Sequence, residues 1–177
     1  MKRIAIIAAL VTVVAFAAAT ASAQATSSGG LTTTATVNGS INLLFNSDAS
    51  GVTLTGSGTN AATLAFGNVS AYGSLSANVG RSVGGSSFTV SSPFDVQVSK
   101  VNSASANYTL KAQLNTADAV NTWQVGGNTI TSASQVTITS TGAYATNVPY
   151  TLALTIPFTT ASSTNISNIV NFTATAN

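Results

Sequence analysis

The stretch "FDVQVSKVNSASANYTLKAQL", residues 94–114, contains two runs in which apolar and polar residues alternate strictly. Phe94, Val96 and Val98 share one parity and Asp95, Gln97 and Ser99 the other; then Tyr108, Leu110, Ala112 and Leu114 oppose Thr109, Lys111 and Gln113. Successive side chains of an extended chain point to opposite faces, so a period of two marks a strand with one face in a core and one in water. A helix needs apolar residues three and four apart. No window after residue 23 keeps that spacing for more than two turns.

The same grammar runs outward from these two segments. Runs rich in Val, Ile, Thr and aromatic residues, punctuated by Gly, Asn and Ser, predict strands near 31–37, 40–46, 51–55, 61–66, 86–91, 93–101, 106–114, 121–125, 128–131, 135–140, 148–157 and 167–175. Leu152, Leu154, Ile156 and Phe158 form one further inward face, and Val170, Phe172 and Ala174 another. Parallel strands need helical crossovers, and no segment supplies one. The expectation is an all-β chain: a single antiparallel β-sandwich, Ig-like or jelly-roll-like, over residues 31–177. Residues 67–87 and 159–167 read as long surface loops.

Met1, Lys2 and Arg3 precede an apolar run over 4–19, and Ala21, Ser22 and Ala23 supply the small-x-small pattern of a cleavage site. Residues 1–23 therefore read as a signal peptide and 24–30 as a flexible linker. The apolar run falls short of the roughly 20 residues that span a bilayer, so no stable membrane insertion is expected after cleavage. The implied location is extracellular or at a bacterial cell surface. Without Lys2 and Arg3, the cations Arg81, Lys100 and Lys111 balance Asp48, Asp95 and Asp118. The basic pI of about 9.2 thus belongs to the leader, and no nucleic-acid partner is implied.

The chain has no His, no Cys and, with only three acidic residues, all Asp, no Glu. That removes the usual nucleophilic triads, thiolate and imidazole metal sites and paired-Glu hydrolysis. A non-enzymatic protein without cofactor or metal is expected. "NSDASG" (46–51) starts like a calcium loop, but the position for its bidentate acid is Ser57, so a plain turn is the better reading. Trp123 shares a face with Val125 and is expected in the core rather than on a sugar-stacking surface. Lys100 and Lys111 are the candidates for an isopeptide cross-link assisted by Asp95, but Lys111 takes the outward parity. The sequons at Asn38, Asn68, Asn107, Asn165 and Asn171 are incidental in so Asn- and Thr-rich a chain.

The N-terminal stretch "LTTTATVNGSINLLF" (31–45) sets a separate problem. A two-residue hairpin at Asn38-Gly39 would place Val37 opposite Ser40 and Thr34 opposite Leu43, apolar against polar. Read as one strand, Leu31, Thr33, Ala35, Val37, Ile41, Leu43 and Phe45 share one face. Such a strand would reach about 50 Å at ~3.3 Å per residue, more than a domain of this size needs. Either Asn38-Gly39 bends the strand from one sheet to the other, or the segment before Val37 projects beyond its own domain, with Leu31, Thr33, Ala35 and Val37 as a strand to be exchanged with another subunit.

The segment "PFDVQVSKVNSASANYTLKAQL" (93–114) and the ending "ISNIVNFTATAN" (166–177) resemble the matching parts of bacterial fimbrial major subunits of the common-pilus type. That resemblance implies an Ig-like domain completed by a neighbouring subunit's N-terminal strand and assembled outside the cell. The function expected is a subunit of an extracellular filament, pilus or surface layer, its partner another copy. The alternative is a monomeric secreted binding module or adhesin for a glycan or a host or surface protein, working through loops 67–87 and 159–167.

Overall fold

The computed structural model describes residues 28–177. The signal peptide assigned to 1–23 and the first part of the linker lie outside the described residues. The chain divides into two units, Met1–Thr36 and Val37–Asn177. In the first, residues 28–36 are exposed and form no strand.

Among the described residues the second unit holds nine strands and no helix: β1 (Ser40–Asn46), β2 (Gly80–Val83), β3 (Ser87–Val101), β4 (Tyr108–Leu114), β5 (Thr122–Val125), β6 (Asn128–Ile130), β7 (Val136–Gly142), β8 (Asn147–Pro157) and β9 (Val170–Ala176). Every pairing is antiparallel. One sheet runs β1-β3-β8-β5-β6, with β2 also against β3; the smaller runs β7-β4-β9. The all-β expectation holds, as two antiparallel sheets sharing one apolar core.

The parity read from 94–114 is the parity of burial. Val96, Val98, Tyr108, Leu110 and Ala112 are fully buried, while their odd-out neighbours stay partly solvated. Trp123 lies in the core as expected, at 5% exposure.

Five expectations are corrected. The two strands at 86–91 and 93–101 are one, β3, of 15 residues, which pairs with β8 on one side from Ser87 to Gln97. On its other side β2 covers the start and β1 the end, so residues 92–94 fall between them. Pro93, which has no N–H to offer a ladder, sits in that gap. Ser92, fully buried there, accepts a hydrogen bond from the Val52 backbone N–H at 2.8 Å.

Secondly, the long strand over 31–45 pairs only from Ser40 onward. Its first half keeps the alternation but has no neighbouring strand, and alternation alone makes no ladder. At Gly39 a Cβ would lie 2.7 Å from the Asn102 carbonyl oxygen, so any larger residue just before β1 would force the backbone there to shift. Thirdly, the stretches 51–55 and 61–66 touch through one isolated bridge, Thr55 to Thr63, rather than as strands. Fourthly, 67–87 is not simply a loose loop: it contains β2, and Val69, Ala71 and Val79 pack on the core. Lastly, Phe158, expected inward, is 42% exposed because β8 ends at Pro157.

Candidate strand-acceptor groove

β1 and β9 come from different sheets and meet through aromatic side chains. Phe45 and Phe172 stand edge to face with centroids 5.2 Å apart, and Phe94 meets the same Phe172 ring at 5.9 Å. Beside this cluster a groove of about 1100 Å³ opens, floored by Phe45, Phe94, Trp123, Leu152, Leu154 and Phe172. No charged side chain is among its lining residues. Its floor is also unevenly covered. Leu154 and Trp123 are buried, but Phe45, Leu152, Val170 and Phe172 are only half-buried.

Two segments wall the groove, residues 62–69 and 163–170. Both have strand-like side-chain order. Ala62, Leu64 and Phe66 are turned toward the core while Thr63 and Ala65 are exposed; Ile166 and Val170 are turned inward while Asn165, Ser167 and Ile169 are exposed. Neither has a strand's hydrogen bonds. Among the described residues, no hydrogen bond involves the backbone of residues 64–66 or 165–167; bonding stops at Thr63 to Thr55 on one side and resumes at the Ile169 carbonyl, which accepts from Asn115, on the other. The backbone amide and carbonyl groups of these stretches therefore have no protein partner among the described residues. An extended chain laid between the walls would give them both a ladder and apolar side chains.

No family model, curated protein or solved structure matches this chain.

The first residue of β1 and the groove lie at opposite ends of that strand. β1 starts at Ser40, opposite Val101, and ends at Asn46, opposite Asp95; its seven residues cover about 23 Å at ~3.3 Å each. The chain before Ser40 joins at the Val101 end, whereas Phe45 lines the groove at the other. Leu31, Thr33, Ala35 and Val37 are exposed, Leu31 at 93% and Val37 at 73%, and belong to no strand.

The remaining sequence candidates have structural roles. Asp48 takes part in a turn: its Oδ1 accepts from the Ser50 N–H and hydroxyl, and those bonds hold its carboxyl below the usual range. Trp123 is fixed from below the groove, its Nε1 donating to Asp118 Oδ2 at 2.8 Å. Lys100 lies over the Tyr144 ring, 5.0 Å from its centroid, and donates to the Ser105 carbonyl. Lys111 sits on β4 across from Thr137 and Thr173. Asp95 faces Pro149 on β8, and burial pushes its carboxyl up.

The wall residues were the part that sequence reasoning did not reach. Strands near 61–66 and 167–175 are legible from alternation, but nothing local says that the first lacks a pairing strand or that the second pairs only from Val170.

Proposed function

We propose that this chain is a secreted, non-enzymatic structural subunit that assembles outside the cell by strand exchange, with another copy as its partner. In this reading the two sheets form an Ig-like sandwich short of one strand. Leu31, Thr33, Ala35 and Val37 of a neighbour enter the groove and complete it. The secreted location follows from the leader at residues 1–23.

The observation that carries the reading is the pair of groove walls: two segments, 62–69 and 163–170, whose side chains alternate over 62–66 and 165–167 but which, among the described residues, have no ladder over 64–66 and 165–167. Strand addition meets both deficits at once, since main-chain bonds supply affinity and alternate side chains fill the apolar floor. The tail supports it independently, by carrying the matching alternation and, among the described residues, no strand pairing. Its attachment at the far end of β1 makes the contact head-to-tail. Such heterologous contacts build open filaments unless a rotation closes them.

Deleting residues 24–37 tests this. The truncated protein should keep its far-UV spectrum and be secreted, yet stay monomeric by light scattering, while a synthetic peptide of residues 30–38 should bind it. Polymers that persist after the deletion would rule out this strand as the donor; a monomeric full-length chain that captures a glycan or a foreign protein would favour the adhesin reading.

A further inference from the structure

Asn38-Gly39, at the joint between the N-terminal segment and β1, is the chain's sole Asn-Gly pair. We infer that it is a site of spontaneous covalent modification, where the Asn38 amide is lost as ammonia and the main chain is partly rerouted as isoaspartate.

The reaction is intramolecular. Hydroxide takes the Gly39 N–H proton, and the nitrogen attacks Asn38 Cγ. That N–C bond forms, the bond from Cγ to Nδ2 breaks, and ammonia departs with a proton supplied by water. The product is a five-membered succinimide, its nitrogen bonded both to Cγ and to the Asn38 main-chain carbonyl carbon. Water then opens the ring at either carbon. Opening at Cγ gives aspartate. Opening at the main-chain carbonyl leaves Gly39 attached through Cγ, an isoaspartate whose main chain is longer by one methylene. Water is the only co-reactant, and nothing is oxidised or reduced.

The attacking nitrogen must be uncrowded, its N–H free, and the Asn38 backbone able to turn. All three conditions are met here. Glycine has no Cβ beside the nitrogen. Among the described residues, no hydrogen bond involves the Gly39 N–H or the Asn38 side chain. Both residues are exposed and outside any strand. β1 is laddered to β3 from Ser40 onward, but residues 28–37 form no strand, so rotation at Asn38 breaks no ladder. Packing also keeps the reactive residue in place. A Cβ at Gly39 would lie 2.7 Å from the Asn102 carbonyl oxygen, so the position just before β1 favours the residue that least hinders attack.

Asn46-Ser47 and Asn102-Ser103 are the nearest pairs in kind, and both are worse placed. Asn46 is laddered opposite Asp95, and its Nδ2 donates to Asn147 Oδ1 at 3.0 Å. The Ser47 N–H, which would attack, donates to Ser57 Oγ at 3.0 Å. At Asn102 the nitrogen belongs to Ser103, whose Cβ crowds the approach. The side-chain charges of residues 24–177 balance, so each conversion at Asn38 leaves one negative charge uncompensated. The reaction stands without strand exchange; under that reading it sets the charge and the extra methylene beside Val37, the last of the four donor residues.

Incubating the purified protein at mildly acidic and mildly alkaline pH tests this, read by isoelectric focusing, peptide mass spectrometry and labelling with an isoaspartyl methyltransferase. A more acidic form should accumulate, faster at the alkaline pH, with its mass gain and methyl label on the Asn38 peptide. Asn38→Gln should abolish it, because the longer side chain closes a six-membered ring far more slowly. Gly39→Ser should slow it about tenfold or more by raising the barrier to attack. Circular dichroism confirms that each variant is folded. Asn46 should stay intact in the folded protein and convert only in urea. Absence of the acidic form, or its persistence in Asn38→Gln, would overturn the site. So would conversion at Asn38 that speeds up more than about tenfold in urea, since the fold would then be protecting the residue. These readouts are chemical and do not depend on whether the chain polymerises.

Discussion

Phe45 on β1 and Phe172 on β9 meet edge to face at 5.2 Å, the aromatic contact that ties the larger sheet to the smaller at the groove. Edge-to-face pairs add about 0.5–1.5 kcal/mol beyond burial. Phe172→Ala removes this contact and that with Phe94, and should lower stability by about 3 kcal/mol, the low end for a core phenylalanine because the ring is only half-buried. Phe172→Leu should lose about half as much. Urea unfolding followed by Trp123 fluorescence reads both.

At the other end of the core Tyr108 is fully buried, and its hydroxyl has no partner among the described residues. Tyr108→Phe removes a desolvated group without opening a cavity and should be neutral or stabilising by up to about 1 kcal/mol. Gly142 faces that ring so closely that a Cβ would lie 2.3 Å from Cζ. Gly142→Ala should therefore destabilise by about 3 kcal/mol, at the upper end of overpacking, since the ring is enclosed and cannot swing away. The same side chain sets an alkaline limit. Burial, with Tyr150 and Tyr144 nearby, pushes Tyr108 up to about 12. The unfolded chain then loses this proton near pH 10 and the folded one only near 12. Stability is thus intact below pH 10 and falls as pH rises to about 12. The fall should be shallower in Tyr108→Phe.

Asp118 should set the matching acid limit. Burial pushes its carboxyl up, but the bonds from Asn121, Trp123 and Val120 together outweigh that and bring it down to about 2. Stability from this network is complete above about pH 4 and lost as pH falls through 2. Asp118→Ala strands the Trp123 indole and the Asn121 amide, and should cost about 2 kcal/mol near neutrality. Thermal melts of wild type and variant between pH 2 and 7 should converge at the acid end.

Much of this fold is legible in the sequence, for a definite reason. β3, β4 and β8 are interior strands, so each side chain answers to one face, and the alternation from Phe94 to Val98 and Tyr108 to Leu114 reports burial directly. β2 escapes because all four of its residues are exposed and leave no pattern. Residues 31–37 and 61–66 err in the other direction. In 61–66 the alternation records which side faces the core and in 31–37, where every residue is exposed, not even that; the hydrogen-bonding neighbour is chosen by topology, and a period of two contains no information about it. The groove is hidden for the same reason, since it arises from pairing that Leu64, Phe66 and Ile166 do not make. The Asp118 network rests on loop geometry that no residue period announces.

The groove itself yields a prediction that separates folding from capture. Ile166 borders the groove, is half-buried, and lies where the backbone is unpaired. Ile166→Asp should leave the monomer folded, with a loss under about 1.5 kcal/mol, because the position retains access to water. Binding of the 30–38 peptide should fall at least 100-fold, since a seated strand would bury the new charge. Fluorescence anisotropy of a labelled peptide measures it.

The N-terminal segment joins the domain at Gly39, and from Ser40 to Asn46 every residue of β1 lies against β3. A pull on that segment along the strand direction loads the β1–β3 ladder in shear. Its hydrogen bonds run perpendicular to the strands, so they share the tension together instead of opening one after another from an end. In the strand-exchanged assembly proposed above, the chain would therefore leave each domain through a joint loaded in shear.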